Sequence, residues 1–419
     1  MEKYLTINGG SSSLKYSLYS MPDNKEIING YFEKIGSDDS FYTLKFDDQK
    51  EKVVKRIRTH EEAANQLLED MISLGVIDDI SEIKGIGHRI LHGGEFYSES
   101  VLIDDEVLEN IRSLIPLGPL HLPGEIKCIE SMMQILPGVD QVAVFDTAFH
   151  QTMPKKNFLY AIPKDFYTED GVRKYGFHGT SHKYITERMK EYYGKDDVNL
   201  IICHVGSGAS IACIKDGKCF DTTMGLTPLD GLIMGTRSGR IDPSIIEYIM
   251  KKRGLSIDEV SKILNKESGL KGLTGHNDFR DVELLANNGN MNAQLAIDMM
   301  KDSIVNSIAE YYFKLKGRVD AVVFTAGVGE NAIHLRERIV EDISIPMGVS
   351  IDTEVNSQIG GANPTKSGII SKEGSRVDVI VMPTNEEYMI LRDTYDICNK
   401  TERKVVQSVK KIGSISATA

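Results

Sequence analysis

The sequence predicts an α/β protein, and three observations support this prediction. Short apolar runs rich in valine and isoleucine recur along the chain, each followed by glycine or polar residues, which is typical of buried strands. Stretches with apolar residues at spacings of three and four lie between these runs, as in helices with one buried face. At 419 residues the chain is long enough for two such α/β domains.

The predicted strands are the most apolar short runs of the chain. In order, they are residues 4–7 (YLTI), 84–90 (KGIGHRI), 141–148 (QVAVFDTA), 200–205 (LIICHV), 319–326 (VDAVVFTA) and 377–383 (VDVIVMP). Helix signals separate them. A capping box at Ser256 and Glu259 and an Asp-Pro pair at 242–243 mark two helix starts. Apolar spacing predicts further helices at 61–74 and at about 291–316.

Composition excludes several classes of protein. The formal net charge of -12 argues against a nucleic acid or an anionic membrane as the partner, because both require a basic face. No signal peptide and no 18-residue apolar run is found. The five cysteines are scattered without a C-x-x-C pair, which argues against a disulfide framework and a zinc site. We therefore expect a soluble, cytoplasmic protein.

Three glycine-rich turns follow predicted strands: NGGSSSLK (8–15), HVGSGAS (204–210) and TAGVGENA (325–332). Glycine lets backbone N–H groups approach an anion, and serine adds hydroxyl donors. The first turn alone could equally be a linker or a hairpin turn, and the last matches the dinucleotide pattern G-x-G-x-x-A. No P-loop motif is present. Together the three turns favour a nucleotide site.

Several polar side chains are candidates for such a site. Arg89 in GHRILHGGE and Arg237 in MGTRSGRIDP are flanked by glycines, and arginine grips carboxylate or phosphate oxygens in pairs. Capping or a surface ion pair is the alternative for each. His178 and His182 in YGFHGTSH are four residues apart, which on a helix would place both on one face. The motif lacks the glutamate of a zinc protease, so hydrogen bonding to phosphate or backbone is the better interpretation.

The motifs taken in order resemble the acetate kinase family, and the resemblance extends to about residue 398. They are NGGSSSLK, GHRILHGGE, VFDTAFHQTMP, GVRKYGFHGTSH, MGLTPLDGLIMGTRSG, VFTAGVGEN and PTNEE. The resemblance implies two duplicated actin-like ATPase (ribonuclease H-like) domains with a nucleotide cleft between them. It implies an N-terminal domain at 1–150, completed by a helix at about 386–398, and a nucleotide-binding domain at 151–385. Residues 399–419 would form a polar tail.

The resemblance also implies a role for individual residues. The implied catalytic residues are Arg89, His121, Asp146, His178 and Arg237. Arg89 would also bind the substrate carboxylate, and the implied pocket for its methyl group consists of Leu91, Leu120, Phe177 and Pro228. The implied nucleotide-binding residues are Ser11, Ser13, Lys15, His204, Val205, Gly206, Ser207, Gly208, Asp278, Phe279, Arg280, Gly327, Val328, Gly329, Glu330 and Asn331. Asn8 and Glu386 would support Mg²⁺.

The implied function is reversible, Mg²⁺-dependent phosphoryl transfer from ATP to acetate, giving acetyl phosphate and ADP, by a homodimer. Acetate is already ionised at neutral pH, since a carboxyl group has a pKa of about 4, so it needs no general base. Asp146 is therefore expected to orient a group rather than to accept a proton. The alternatives are a propionate or other short-chain acyl kinase, or a non-catalytic nucleotide-binding member of the superfamily.

Four positions depart from the expected family pattern. Ser207 stands where asparagine is usual, Arg240 where an acid is usual, and Leu122 follows His121 where asparagine is usual. Leu91 replaces a frequent valine. None of these removes a residue with an implied chemical role, but the first two bear on nucleotide affinity and on the choice of phosphoryl donor.

Overall fold

The computed structural model describes residues 1–363 and 365–415, and for 401–415 it describes the backbone alone. The strands of the described chain are β1 Glu2–Gly9, β2 Ser13–Met21, β3 Lys25–Glu33, β4 Phe41–Phe46, β5 Gln49–Val53, β6 Ile83–Ile90, β7 Val101–Leu102, β8 Asp140–Phe145, β9 Leu200–Val205, β10 Ala209–Lys215, β11 Lys218–Thr222, β12 Ala321–Thr325, β13 Gly368–Ile369 and β14 Asp378–Val381.

The helices of the described chain are α1 His60–Ser73, α2 Asp105–Ser113, α3 Leu122–Ile135, α4 Lys155–Phe158, α5 Asp165–Thr168, α6 Gly179–Tyr193, α7 Ser244–Arg253, α8 Ile257–Lys266, α9 Gly269–Thr274, α10 Phe279–Asn287, α11 Met291–Lys314, α12 Ala326–Asn331, α13 Ile333–Met347, α14 Thr353–Ser357 and α15 Glu386–Ile415. Short 3-10 helices occupy Ile80–Glu82, Ile115–Leu117 and Ala148–Thr152. The predicted α/β class is confirmed.

Two sheets divide the chain into two units. The first unit contains residues up to Ala148 and the chain from Asn385 onward, and the second contains Phe149–Thr384. The first sheet has the strand order β5-β4-β3-β2-β1-β6-β8-β7 and the second has β11-β10-β9-β12-β14-β13. Each sheet contains an antiparallel meander, β1–β3 in the first and β9–β11 in the second. The first strand of each meander also pairs in parallel with the next strand of its sheet, β6 or β12. A further parallel strand follows, β8 or β14, and an antiparallel strand, β7 or β13, forms the edge. The repeated order shows that the two units are structural duplicates.

In the first unit, alternation along β1 fixes which side chains reach the candidate site. Leu5 and Ile7 are buried among side chains of α1 and α3, whereas Tyr4 packs on the other face with Ile390 and Leu391 of α15. Successive strand residues point to opposite faces. Asn8, an even-numbered residue of β1 like Tyr4, therefore lies on the α15 face of the sheet.

The C-terminal helix is longer than expected. The predicted helix at about 386–398 is observed as α15, which packs on β1, β6 and β8 of the first unit and continues to Ile415. Most of the predicted tail at 399–419 is therefore helical backbone, and residues 416–419 lie outside the described residues.

In the second unit, two loops at neighbouring strand ends differ from each other. Residues 206–208 form the tight turn of the β9–β10 hairpin. The GVGEN segment, predicted as a glycine-rich turn, is instead the short helix α12. The prediction was wrong because both glycines lie inside a helical turn: Thr325 is extended, Ala326 takes the left-handed conformation with φ 65°, and the helix begins there.

The remaining sequence expectations concern cysteines and membrane spans. All five cysteines are buried and none forms a disulfide. Within the described residues, we find no helix with both the length and the apolar character needed to cross a membrane.

Candidate active site

Three predicted site residues lie in one row across the first sheet. Asn8 of β1 is the register partner of Lys15 on β2 and of Arg89 on β6. Register partners point to the same face of a sheet, so the amide, the ammonium and the guanidinium are neighbours. Lys15 forms an ion pair with Glu387 at the start of α15. The sheet order thus assembles residues that are far apart in sequence.

Arg89 is held by a two-point contact with Asp146. Its Nε and Nη2 atoms donate to the carboxylate of Asp146 at 3.3 and 2.5 Å. Asp146 follows β8, is only 1% exposed, and its charge raises the pKa of the arginine further above its usual range. The paired fork fixes the guanidinium plane. The Asp146 carboxylate therefore fixes the position of the Arg89 guanidinium.

Asn8, Arg89 and Glu386 line a small cavity above this row. Burial raises the pKa of Glu386, against the opposing effect of the Arg89 charge. An amide and a carboxylate supply hard oxygen donors, which suit Mg²⁺. In the described parts of the chain, no group of three His, Cys, Asp or Glu side chains could hold a metal. Asn8 and Glu386 could therefore supply two oxygen ligands to Mg²⁺.

The first glycine-rich segment is a hairpin turn pinned from two sides. Gly10 N–H donates to Ser13 O at 2.8 Å, and the His60 ring contacts Gly10 O at 2.7 Å. Gly124 of α3 packs so closely that a Cβ there would lie 2.6 Å from the same oxygen. The linker interpretation is thereby excluded, while the exposed Ser11 at the tip remains available to a ligand.

Glu125 is a buried acid that the sequence analysis missed. It lies on α3, is 5% exposed, and accepts a hydrogen bond from the backbone N–H of Leu91 at 3.0 Å. Burial raises the pKa of Glu125 to about 8, with the charges of Arg89 and Asp146 acting in opposite directions. Leu91, which is predicted to line the methyl pocket, is thus fixed by a carboxyl group that stays protonated at neutral pH.

Replacing Glu125 with glutamine should remove a pH dependence of stability. The folded-state pKa of about 8 lies above the usual value of 4.5, so stabilisation is full below pH 4.5 and is lost as the pH rises to 8. The free energy of unfolding should fall across this window by up to about 1.4 kcal/mol per pH unit in the wild type. Urea denaturation at several pH values should show a flatter profile for Glu125→Gln. Equal slopes in both proteins would contradict the assignment.

The second unit places His178 and His204 side by side. His178 precedes α6 in the left-handed conformation, with φ 58°, and its ring stacks on that of His204 with centroids 4.1 Å apart. Its Nδ1 atom is 2.9 Å from Oγ of Ser210 on β10. Phe177, which precedes His178 and is predicted to line the methyl pocket, is also buried. Its backbone carbonyl oxygen accepts a hydrogen bond from Nε2 of His150 at 2.9 Å.

Arg237 approaches His178 at Gly208. A Cβ on Gly208 would lie 3.4 Å from both Nη1 of Arg237 and Nε2 of His178, so two donors converge beside this glycine. Arg237 donates to Pro228 O at 3.3 Å but makes no ion pair with a carboxylate of the described chain. Burial lowers its pKa. A half-buried cation without a counter-ion is suited to an incoming anion.

A cavity of about 550 Å³ in the second unit is lined by half of the predicted nucleotide-binding residues. Those that line it are Gly206, Ser207, Asp278, Phe279, Arg280, Gly327, Val328 and Asn331. His204, Val205, Gly208, Gly329 and Glu330 belong to the same segments but do not line the cavity. The sequence did not predict the lining residues Gly235, Leu270, Asn277, Glu283, Met300, Ala332 and Gly361.

Comparison with known proteins identifies the family. The model of the acetokinase family matches residues 3–392. The chain belongs to this family. It is 48% identical to an acetate kinase of an Exiguobacterium species over 406 residues, covering 96% of this chain and 99% of that protein. The family consists of phosphotransferase enzymes, so the predicted enzyme class is confirmed.

Solved structures of the family confirm the predicted duplicated actin-like fold. The crystal structure of acetate kinase from Porphyromonas gingivalis matches with a TM-score of 0.90 and 42% identity, covering 95% of this chain and 100% of that one. A propionate kinase from Francisella tularensis matches with a TM-score of 0.89 and 40% identity, covering the same shares of both chains.

The departures from the family pattern have definite places in the structure. Ser207 is exposed at the hairpin tip and lines the large cavity. Arg240 lies 3.7 Å from Asp230, which offsets its reversed charge. Leu122 is fully buried at the start of α3. Leu120, a predicted member of the methyl pocket, is 59% exposed.

Proposed function

We propose that this protein is an acetate kinase that transfers the γ-phosphoryl group of ATP to acetate, reversibly, with Mg²⁺. One observation carries the proposal: Arg237, which has no carboxylate partner in the described chain, and His178 converge on Gly208. Gly206 and Ser207, just before this glycine, line the large cavity. Two donors next to a nucleotide-sized cavity provide the charge neutralisation on which phosphoryl transfer depends.

The nucleotide would occupy the large cavity of the second unit. Its volume of about 550 Å³ lies within the usual range for small-molecule sites. The hairpin turn at 206–208 and helix α12 would hold the phosphates through backbone N–H groups. Asp278, Phe279 and Arg280 would flank the adenosine. The exposed ion pair between Asp278 and Arg280 presents a charged edge to this part of the nucleotide.

Acetate would bind in the first unit through Arg89. A carboxylate matches the two-pronged geometry of guanidinium, and the contact with Asp146 keeps that geometry fixed. Leu91, Leu120, Phe177 and Pro228 would surround the methyl group. Because acetate is ionised at neutral pH, its oxygen attacks the γ-phosphorus directly and in line. Asp146 keeps its ion pair throughout the reaction.

Asn8 and Glu386 would hold Mg²⁺, and Lys15 with Ser11 and Ser13 would face the phosphate groups. Bound Mg²⁺ neutralises the charge of the phosphate oxygens. Arg237 and His178 would donate to the equatorial oxygens of the transferring group. His121, which precedes α3, would assist. These contacts strengthen as negative charge is redistributed in the transition state and thus lower the barrier.

The decisive experiment is an acyl-phosphate assay with hydroxylamine trapping. Purified protein with ATP, Mg²⁺ and acetate should form acetyl hydroxamate, and omission of Mg²⁺ should abolish the product. GTP and pyrophosphate as donors would show whether Ser207 has altered donor choice. Absence of acyl phosphate with every donor would support a non-catalytic nucleotide-binding protein instead.

A propionate kinase is the second candidate, favoured by the match to the propionate kinase of Francisella tularensis. One extra methylene changes specificity by about 10–200-fold in a well-fitted apolar pocket. We expect kcat/KM to decrease from acetate through propionate to butyrate, because Leu91 is larger than the frequent valine. A higher kcat/KM for propionate would reverse the assignment.

The proposal includes a homodimer in the cytoplasm. The exposed apolar side chains Ile245 and Tyr248 on α7 support burial of this helix against a second copy. The absence of disulfides among the five cysteines supports a reducing compartment. Sedimentation at several concentrations would test the dimer.

A further inference from the structure

A histidine that acts on a phosphoryl group must donate a hydrogen bond to it. A neutral imidazole carries a single N–H, so only one of its two tautomers places the donor at a given nitrogen. In His178, Nδ1 contacts Ser210, whereas Nε2 lies beside Gly208 together with Nη1 of Arg237. What donates to or accepts from Nδ1 therefore decides whether Nε2 can donate.

Ser210 bridges two histidine rings. Its Oγ lies 2.9 Å from Nδ1 of His178 and 2.8 Å from Nε2 of His182, and the residue is fully buried. A hydroxyl group has one hydrogen to donate and two lone pairs that accept. If it donates to one ring, it must accept from the other. The tautomer of either ring therefore sets the direction of both hydrogen bonds to Ser210.

His182 fixes that direction. Its Nδ1 is buried and has no hydrogen-bond partner among the residues that the structure describes, and burial together with His150 and His204 lowers the pKa of His182 well below its usual value. A buried N–H without an acceptor costs more than a bare lone pair. The single proton of neutral His182 therefore sits on Nε2 and is donated to Ser210, whose hydroxyl hydrogen then points to His178.

We propose that Ser210 and His182 are positioning residues that keep the neutral His178 ring in the tautomer with its proton on Nε2. His178 then donates a hydrogen bond from Nε2 in both its neutral and its cationic forms. The assignment deepens the proposed function and rests on it for its catalytic consequence, but the tautomer itself does not depend on turnover.

The surroundings contain other groups that titrate or carry charge. The His204 ring stacks on the His178 ring, with centroids 4.1 Å apart. The centroid of the His182 ring lies 6.1 Å from that of His204 and 5.7 Å from that of His150. The Arg237 guanidinium shares the Gly208 edge with His178. A second cation among these groups would be costly. A donor that needs no positive charge is the arrangement that this cluster favours.

The tautomers can be read directly by ¹⁵N NMR of protein labelled on histidine. Spectra of His178→Gln and His182→Gln assign the two rings by loss of signal. We expect Nδ1 of both rings to resonate as bare, pyridine-like nitrogen and Nε2 as protonated nitrogen. In Ser210→Ala, the His178 signals should move toward the average of two tautomers. A proton on Nδ1 of either ring in the wild type would overturn the proposal.

Kinetics supply a readout that a merely structural role would not change. In Ser210→Ala, kcat should fall by about 10-fold, less than for loss of an entire donor, with KM for acetate within about twofold. The loss should deepen as the pH rises, because the unconstrained ring must be protonated to be sure of donating. Ser210→Thr, which keeps the hydroxyl group, should show no such additional loss of kcat with pH. A pH-independent loss shared by both variants would overturn the kinetic role.

The two readouts separate this proposal from the proposed function. If the protein forms no acyl phosphate but both rings carry their proton on Nε2, the proposed function is contradicted and the hydrogen bonds from His182 through Ser210 to His178 are supported. An active enzyme in which Ser210→Ala leaves the His178 signals and kcat unchanged retains the reaction and contradicts the role of these hydrogen bonds.

Discussion

Arg237→Ala should lower kcat for acetyl phosphate formation by about 10²–10³-fold without lowering stability. The guanidinium is half-buried beside Gly208 and has no carboxylate partner in the described chain, so its removal breaks no ion pair. Its charge is useful only when an anion arrives. Steady-state kinetics and urea denaturation of the same preparation would measure both effects. Near-normal turnover would contradict the role assigned to Arg237.

Arg89→Ala should reduce turnover by a similar factor but should also destabilise the fold. The substitution leaves the carboxylate of Asp146, which is almost fully buried, without its two-point partner. Removing one member of a buried pair costs on the order of 3 kcal/mol. Arg89→Lys should recover part of the stability but little activity, because an ammonium cannot reproduce the paired fork.

Arg188→Ala is the matched control for both substitutions. Arg188 lies on α6 of the second unit and forms an exposed ion pair with Glu191. Exposed pairs of this kind contribute little, so both kcat and stability should remain near wild type. A large loss in this control would mean that any arginine replacement perturbs the enzyme.

The parallel strands, several helices and the family of the fold were readable from the sequence, because local patterns encode them. Apolar runs located the parallel strands of both sheets, and the order of motifs identified the family. The row Lys15–Asn8–Arg89 was not readable, because it depends on β1 lying between β2 and β6. Nothing in a linear pattern states the order of strands in a sheet.

Residues that act through buried contacts were also missed. Glu125 occurs in no recognisable motif, and its raised pKa arises from burial in the folded unit rather than from its neighbours in sequence. Ser210 lies within HVGSGAS, but its partners His178 and His182 are 32 and 28 residues away. The GVGEN segment carried a correct motif and a wrong conformation, because glycine content favoured a turn over the short helix α12.

Arg336 lies outside every motif of the sequence, but its side chain contacts the GVGEN segment. Its guanidinium is buried on α13 and donates to the carbonyl oxygens of Gly329 and Glu330 at 3.1 and 2.7 Å. It also donates to Ile359 O at 2.8 Å and to the side chain of Asn356 at 2.9 Å. Burial lowers the pKa of this arginine to about 10. The cost of burying the cation is offset by carbonyl groups that would otherwise lack partners.

Arg336→Met should therefore destabilise the protein by on the order of 4 kcal/mol, although it removes a buried charge. The freed carbonyls of Gly329 and Glu330 belong to α12, so KM for ATP should rise more than kcat falls. Denaturation curves and ATP kinetics would measure these effects. Arg338→Met is the control, because Arg338 lies two residues further on α13, is 43% exposed and forms an ion pair with the exposed Asp298. If both variants lose equal stability, the hydrogen bonds from Arg336 to the carbonyl oxygens of Gly329 and Glu330 do not anchor α12. Any rise in KM for ATP must then have another cause.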